Sequence, residues 1–137
     1  MANAIYPLYK QELLKGTAGT DLDQTGTDGV YVALIDTGTY TYSAAHQFYS
    51  DLSGVVGTPV EITTKTQTSG TLDGDDVTFT AVTGATVEAY VLYRKNSGAN
   101  TTWPLIAYVD TGVTGLPVTP NGGNIVLTWN ASGIFTI

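Results

Sequence analysis

Cysteine is absent from the 137 residues, histidine occurs once, as His46, and only 12% of the chain is charged. Without cysteine there is neither a disulfide framework nor a thiolate metal site. A small domain lacking both staples depends on its apolar core or on assembly with other chains. A lone histidine and few charged groups leave little from which to build a nucleophile, a base and a group to orient them. No Gly-x-Ser-x-Gly elbow, P-loop or His-x-x-x-His pair occurs. Positive charge is also scarce. Lys10, Lys15, Lys65, Arg94 and Lys95 are the five cations against a net charge of −7, which disfavours a nucleic-acid partner. No apolar run is long enough to span a bilayer, and the opening MANAIYPLYKQELLKG is broken by Pro7, Lys10 and Glu12, unlike a secretory signal. The expectation is a protein made in the cytoplasm that stays soluble, without catalytic activity, cofactor, metal, nucleic-acid partner or membrane partner.

What is plentiful is threonine, at 24 positions, and glycine, at 16. Threonine suits pleated, half-buried surfaces and glycine suits the turns between them. At this length the chain is one domain, with 42% apolar residues to fill a core. The pattern predicts an antiparallel β-sandwich or jelly-roll-like fold with a short N-terminal helix and one short inserted helix. Residues 1–16 form the helical arm and 17–137 the β domain.

The helix is expected to be capped by Asn3, to tolerate Pro7 in its first turn and to end at Lys15-Gly16. Ile5, Leu8, Tyr9 and Leu13 fall at helical spacing and make one apolar face, packed on the domain or docked on a neighbouring subunit. A second helix is predicted over Ala44–Leu52, with Ser43 as its cap, and it carries His46 as a packed side chain. Strands are predicted over 30–36, 60–68, 76–83, 85–96, 104–111, 124–130 and 133–137. The last two form a pair joined at Ala131-Ser132, and 85–96 is the longest. Within it Val87, Ala89, Val91 and Tyr93 face one way. Glu88, Tyr90, Leu92 and Arg94 face the other. A face bearing Tyr90 and Leu92 is too apolar to be bare, so a second sheet or another subunit covers it.

Acidic residues cluster at Asp21, Asp23 and Asp28, and more densely at Asp73, Asp75 and Asp76. Neither set has the ligand register of an EF-hand loop, and both read as turns; the second is the better candidate for a cation. Glu61 and Glu88 lie on strands that topology could bring together, the nearest approach to a carboxylate pair, though nothing in the pattern makes a cleft. Trp103, Trp129 and the tyrosines offer a surface for sugar binding. Trp103, Leu116 and Pro117 sit in the loops 96–103 and 112–123, as exposed anchors for a partner.

Several segments carry a resemblance: MANAIYPLYKQELLKG, VYVALIDTGTYTYSAAHQFYSDL, DGDDVTFTAVTGATVEAYVLYRKN and PLIAYVDTGVTGLPVTPNGGNIVLTWN. Together they cover nearly the whole chain, and GLPVTPNGGNIVLTW at 115–129 is the most specific part. The chain resembles a family of small structural proteins of tailed bacteriophages. That resemblance implies a virion component with no catalytic residues. The expected role is capsid decoration or cement on the outer head surface, with the major capsid protein as partner. Self-association is expected too, with a trimer preferred over a dimer. A tail, neck or fibre component and a carbohydrate-binding host-attachment module are the alternatives.

Overall fold

The computed structural model describes residues 3–137, and the fold is mainly β, of antiparallel sheets with one α-helix among the described residues. In chain order the elements are β1 (Ala4–Ile5), α1 (Pro7–Lys15), β2 (Val30–Ile35), β3 (Val55–Glu61), β4 (Thr66–Thr68), β5 (Thr71–Asp73), β6 (Val77–Phe79), β7 (Ala89–Arg94), β8 (Leu105–Val109), β9 (Ile125–Leu127) and β10 (Phe135–Thr136). Single 3-10 turns lie at Gly26–Asp28, Tyr49–Asp51 and Asn100–Thr102. No helix among the described residues is long and apolar enough to cross a membrane.

The largest sheet has the order β1-β8-β7-β2-β3, the others β10-β5-β4 and β6-β9. Its central strand, β7, is buried at all six positions, which explains why AYVLYR is apolar on both faces. β2 lies beside it with five of six residues buried, matching the unbroken run VYVALI. β3 is an edge strand, and there Pro59 costs no ladder bond.

Pairing of Tyr90 with Leu34 and Val109, and of Leu92 with Val32 and Ala107, puts these six residues on one face of the large sheet. The chain covers that face itself. One core cluster joins it to Val77, Phe79, Ile125 and Leu127 of the β6-β9 sheet, and the Trp129 ring stands edge-on to Tyr90 at 5.4 Å. Tyr90 and Leu92 therefore give no reason to expect a second subunit. On the opposite face Tyr40 and Tyr42 pack on Tyr108, while Tyr49 and Trp103 pack on Tyr93. Each large apolar side chain fully removed from water here contributes about 1.5–3 kcal/mol.

The N-terminal segment is built into the sheet. Ile5 belongs to β1, paired with Ala107, and Tyr6 and Tyr9 are fully buried in the core. Asn3 does not cap α1. Its Oδ1 accepts from the amides of Asp110 and Thr111, and Tyr6 occupies the cap position without a side-chain bond. The expected helix end is present: Gly16 takes φ +68° and its N–H bonds to Leu13 O.

The second helix is absent. Residues 44–52 form turns closing in the 3-10 turn Tyr49–Asp51, because Asp51 Oδ2 accepts from the amides of Gln47 and Phe48, and Gln47 O accepts from Leu105 N. Backbone groups committed to β8 are not free for a helix.

Left-handed residues cut two expected strands short. Thr64 at φ +53° separates β3 from β4, and Ala81 at φ +51° closes the run that begins as β6. A two-residue turn at Ser69-Gly70, both with positive φ, forms the β4–β5 hairpin inside 68–76, which reads in sequence as a single turn. The strand over 85–96 contracts to Ala89–Arg94, one residue shorter than β3. β9 and β10 do not pair with each other. β9 pairs with β6 and β10 with β5, so the turn after Asn130 carries the chain from one small sheet to the other.

Candidate docking surface and clefts

The residues with most chemical potential are occupied structurally. His46 is half-buried, with Nδ1 2.8 Å from the Tyr40 hydroxyl, which in turn lies 2.8 Å from that of Tyr6. Glu61 and Glu88 are not brought together, since β2 separates β3 from β7. Glu61 Oε1 accepts from Gly26 N and Glu88 Oε2 from Thr37 N, so each carboxylate pins a different loop. Glu88 and Asp110 instead line a polar hollow of about 300 Å³ with Tyr40, Tyr42 and Tyr108. Burial, then the Asp110 carboxylate, push the Tyr108 phenol up to about 12.

The two acidic clusters also resolve into separate structural bonds. Arg94, buried between sheet and loop, donates to Asp21 Oδ1 at 2.9 Å, Asp28 Oδ1 at 3.4 Å, and the carbonyls of Asp21 and Lys95. The polar loop 17–29 is thus folded onto a guanidinium. In the other cluster Asp73 binds Gly74 N, Asp75 binds the hydroxyls of Thr63 and Thr64, and Asp76 binds Trp129 N. No group of three ligating side chains among the described residues is arranged to hold a metal. Near α1, Glu12 is held at about 2 by hydrogen bonds from Thr17, Lys15 and Gln11. Burial would raise Asp51, but the amides of Phe48 and Gln47 outweigh it and lower its pKa.

Of the anchors expected in the loops, Trp103 is half-buried, donates Nε1–H to Gly98 O and stacks on Tyr93 at 5.9 Å with Lys95 above its ring. It is part of an internal aromatic stack more than a projecting knob. Leu116 is half-buried and Pro117 exposed, after a cis peptide. Their loop is bound back to the body, with Gly115 at φ +103° and so close to Val126 O that a Cβ would sit 2.6 Å from it.

The uncovered apolar surface lies elsewhere. Leu13 and Tyr9 of α1, Leu22, Leu72, Phe135 and Ile137 line a groove of about 240 Å³ between the helix and the β10-β5-β4 sheet. Leu13 is half-buried there and Leu8 half-buried further along the helix, whereas Leu14 is 91% exposed and Ile137 56%. The helical spacing singles out Leu13 and Tyr9. It passes over Leu14, about 100° further around the helix, and nothing in the sequence places Phe135 and Ile137 opposite them. A second cleft opens beside β1, lined by Trp129, Phe135 and Tyr90.

No protein-family model matches the chain. No curated protein matches its sequence.

Proposed function

We propose that this chain is a structural protein of a tailed-phage virion, most simply a capsid decoration or cement protein bound to the outer head surface through the groove between α1 and β10. The observation that carries the docking half of this reading is an apolar groove lined by Leu13 and by Ile137, which is 56% exposed, with Leu14, next to Leu13 on α1, exposed outside that lining. Exposed apolar surface of this kind marks interaction sites on soluble proteins. The virion half rests on the resemblance of segments covering nearly the whole sequence. We read the three sheets as a sandwich, the large sheet forming one layer and the two small sheets the other. A rigid block of this kind, net acidic and cysteine-free, stays soluble before docking and does not adhere to packaged DNA. The role is mechanical, not catalytic. Many copies, each adding a modest interface, stabilise the assembled shell because they bind it and not its free subunits. A trimer placed on threefold positions of the head suits the same groove.

The test compares phage lacking the protein with wild type, following DNA release on a temperature ramp and copy number per head. Earlier release from the knockout, restored by added protein but not by Leu14→Glu, supports cement. Equal release temperatures with the protein absent from the head surface overturn that reading and favour a tail, neck or fibre position.

A further inference from the structure

The cleft beside β1 measures about 260 Å³, and among the described residues its lining contains no carboxylate, ammonium, guanidinium or imidazole, on a chain whose net charge is −7. Three aromatic side chains, Trp129, Phe135 and Tyr90, meet there with the uncharged polar side chains of Thr111, Thr128 and Asn130. The Trp129 indole is fixed in advance. Its Nε1–H donates to Asp75 O at 2.8 Å, its backbone N–H to Asp76 Oδ1 at 3.0 Å, and it stands edge-on to Tyr90. With the N–H turned to the protein, the ring is left as a purely apolar surface that loses no freedom on binding. Asn130 uses Oδ1 to accept from Ser132 N, and its amide nitrogen makes no hydrogen bond among the described residues. The Thr128 hydroxyl, also in the lining, likewise has no hydrogen bond among the described residues.

An apolar ring face bordered by uncharged donors and acceptors matches one ligand chemistry above others. A sugar ring presents C–H bonds on its flat face and hydroxyls around its edge. We propose that this cleft binds a single neutral sugar residue, its ring against Trp129 and its hydroxyls bonded by Asn130 and Thr128. The volume falls just below the range of about 300–1,000 Å³ usual for drug-sized ligands, which fits one ring and not a long chain. The groove beside α1 differs in carrying a charged side chain, Asp21, in its lining. The sugar site is independent of whether the protein sits on a head.

The test is an amide and indole NMR titration of the full chain. The probes are methyl β-glucoside, methyl β-galactoside and methyl N-acetyl-β-glucosaminide, with cyclohexanol as an apolar control. Saturable shifts of the Trp129 indole signal and of residues 111–113 and 128–130 are expected with at least one glycoside. Asn130→Ala and Thr128→Ala should each weaken that binding by about three- to tenfold, the loss of one hydrogen bond, with the rest of the spectrum unchanged. Thr128→Ala keeps the test valid if Asn130→Ala disturbs the following turn. No shifts up to about 100 mM glycoside, well beyond a millimolar Kd, overturn the proposal. So does an equal response to cyclohexanol, or unchanged affinity in both variants.

Discussion

The hydroxyls of Tyr6 and Tyr40 lie 2.8 Å apart, both residues buried, and tie the start of α1 to a loop 34 residues later. Tyr40 also meets Nδ1 of His46 at 2.8 Å, so one phenol serves two partners. Tyr40→Phe leaves the Tyr6 hydroxyl buried without a partner and should cost about 1–3 kcal/mol. Tyr6→Phe leaves Tyr40 its bond to His46 and should cost about 0.5–1.5 kcal/mol. The double variant should lose less than the sum of the two, because nothing is then left unpaired between them. Urea unfolding of the three variants checks this; additive losses count against it.

Burial raises the phenol of all nine tyrosines above its ordinary value. An unfolded chain gives up these protons at pH about 10. Above that pH the native state binds more protons than the unfolded one, so stability falls as pH rises, while below it the contribution is fully present. The protein should therefore unfold cooperatively in alkali, phenolate absorbance and loss of circular dichroism rising together. A gradual titration near pH 10 with the fold intact is the opposite outcome.

Arg94 holds loop 17–29 through two carboxylates and the carbonyls of Asp21 and Lys95. Asp21 and Asp28 are 46% and 54% exposed and regain water when the arginine is lost, but the carbonyls lose their donor. Arg94→Met should cost about 2–3 kcal/mol, below the full penalty for breaking a buried pair. Arg94→Lys should restore little of it, since an ammonium cannot reach the fork of acceptors. Thermal unfolding measures the loss, and faster proteolysis within 17–29 locates it.

Leu14 is the counter-case. Its side chain is exposed, so Leu14→Glu should change stability by no more than about 0.5 kcal/mol. Head occupancy should nevertheless fall sharply if docking extends from the groove over the exposed side of α1 that carries Leu14. Denaturation of the free protein and sedimentation with heads separate the two effects.

The strands buried on both faces were the easiest to read, because VYVALI and AYVLYR leave no polar face to show. Helix α1 was legible from Pro7 and Gly16, which fit its two ends. The losses have local causes. Thr64 and Ala81 adopt left-handed backbone that favours glycine, and propensity gives no sign of it. Residues 44–52 have the spacing of a helix, but Gln47 is claimed by β8 and Phe48 by the Asp51 carboxylate. The apolar groove was half legible: α1 supplied Tyr9 and Leu13, but Phe135 and Ile137 reach it only because β10 pairs with β5. Trp129 invited a sugar-binding reading by its type alone. Its fixed orientation depends on Asp75 and Asp76, 54 and 53 residues away, a relationship no local pattern reveals.

The large sheet pairs Ala4 with Tyr108 and Val30 with Arg94, so its outer strand waits for a partner made about a hundred residues later. A chain emerging from the ribosome cannot settle β1 until β8 has cleared the exit. Until then Tyr6 and Tyr9 have no complete core to enter. Pairings this distant in sequence belong to topologies that fold in milliseconds to seconds, not microseconds. During synthesis, β1 therefore becomes native only after β8, which lies about a hundred residues further along the chain.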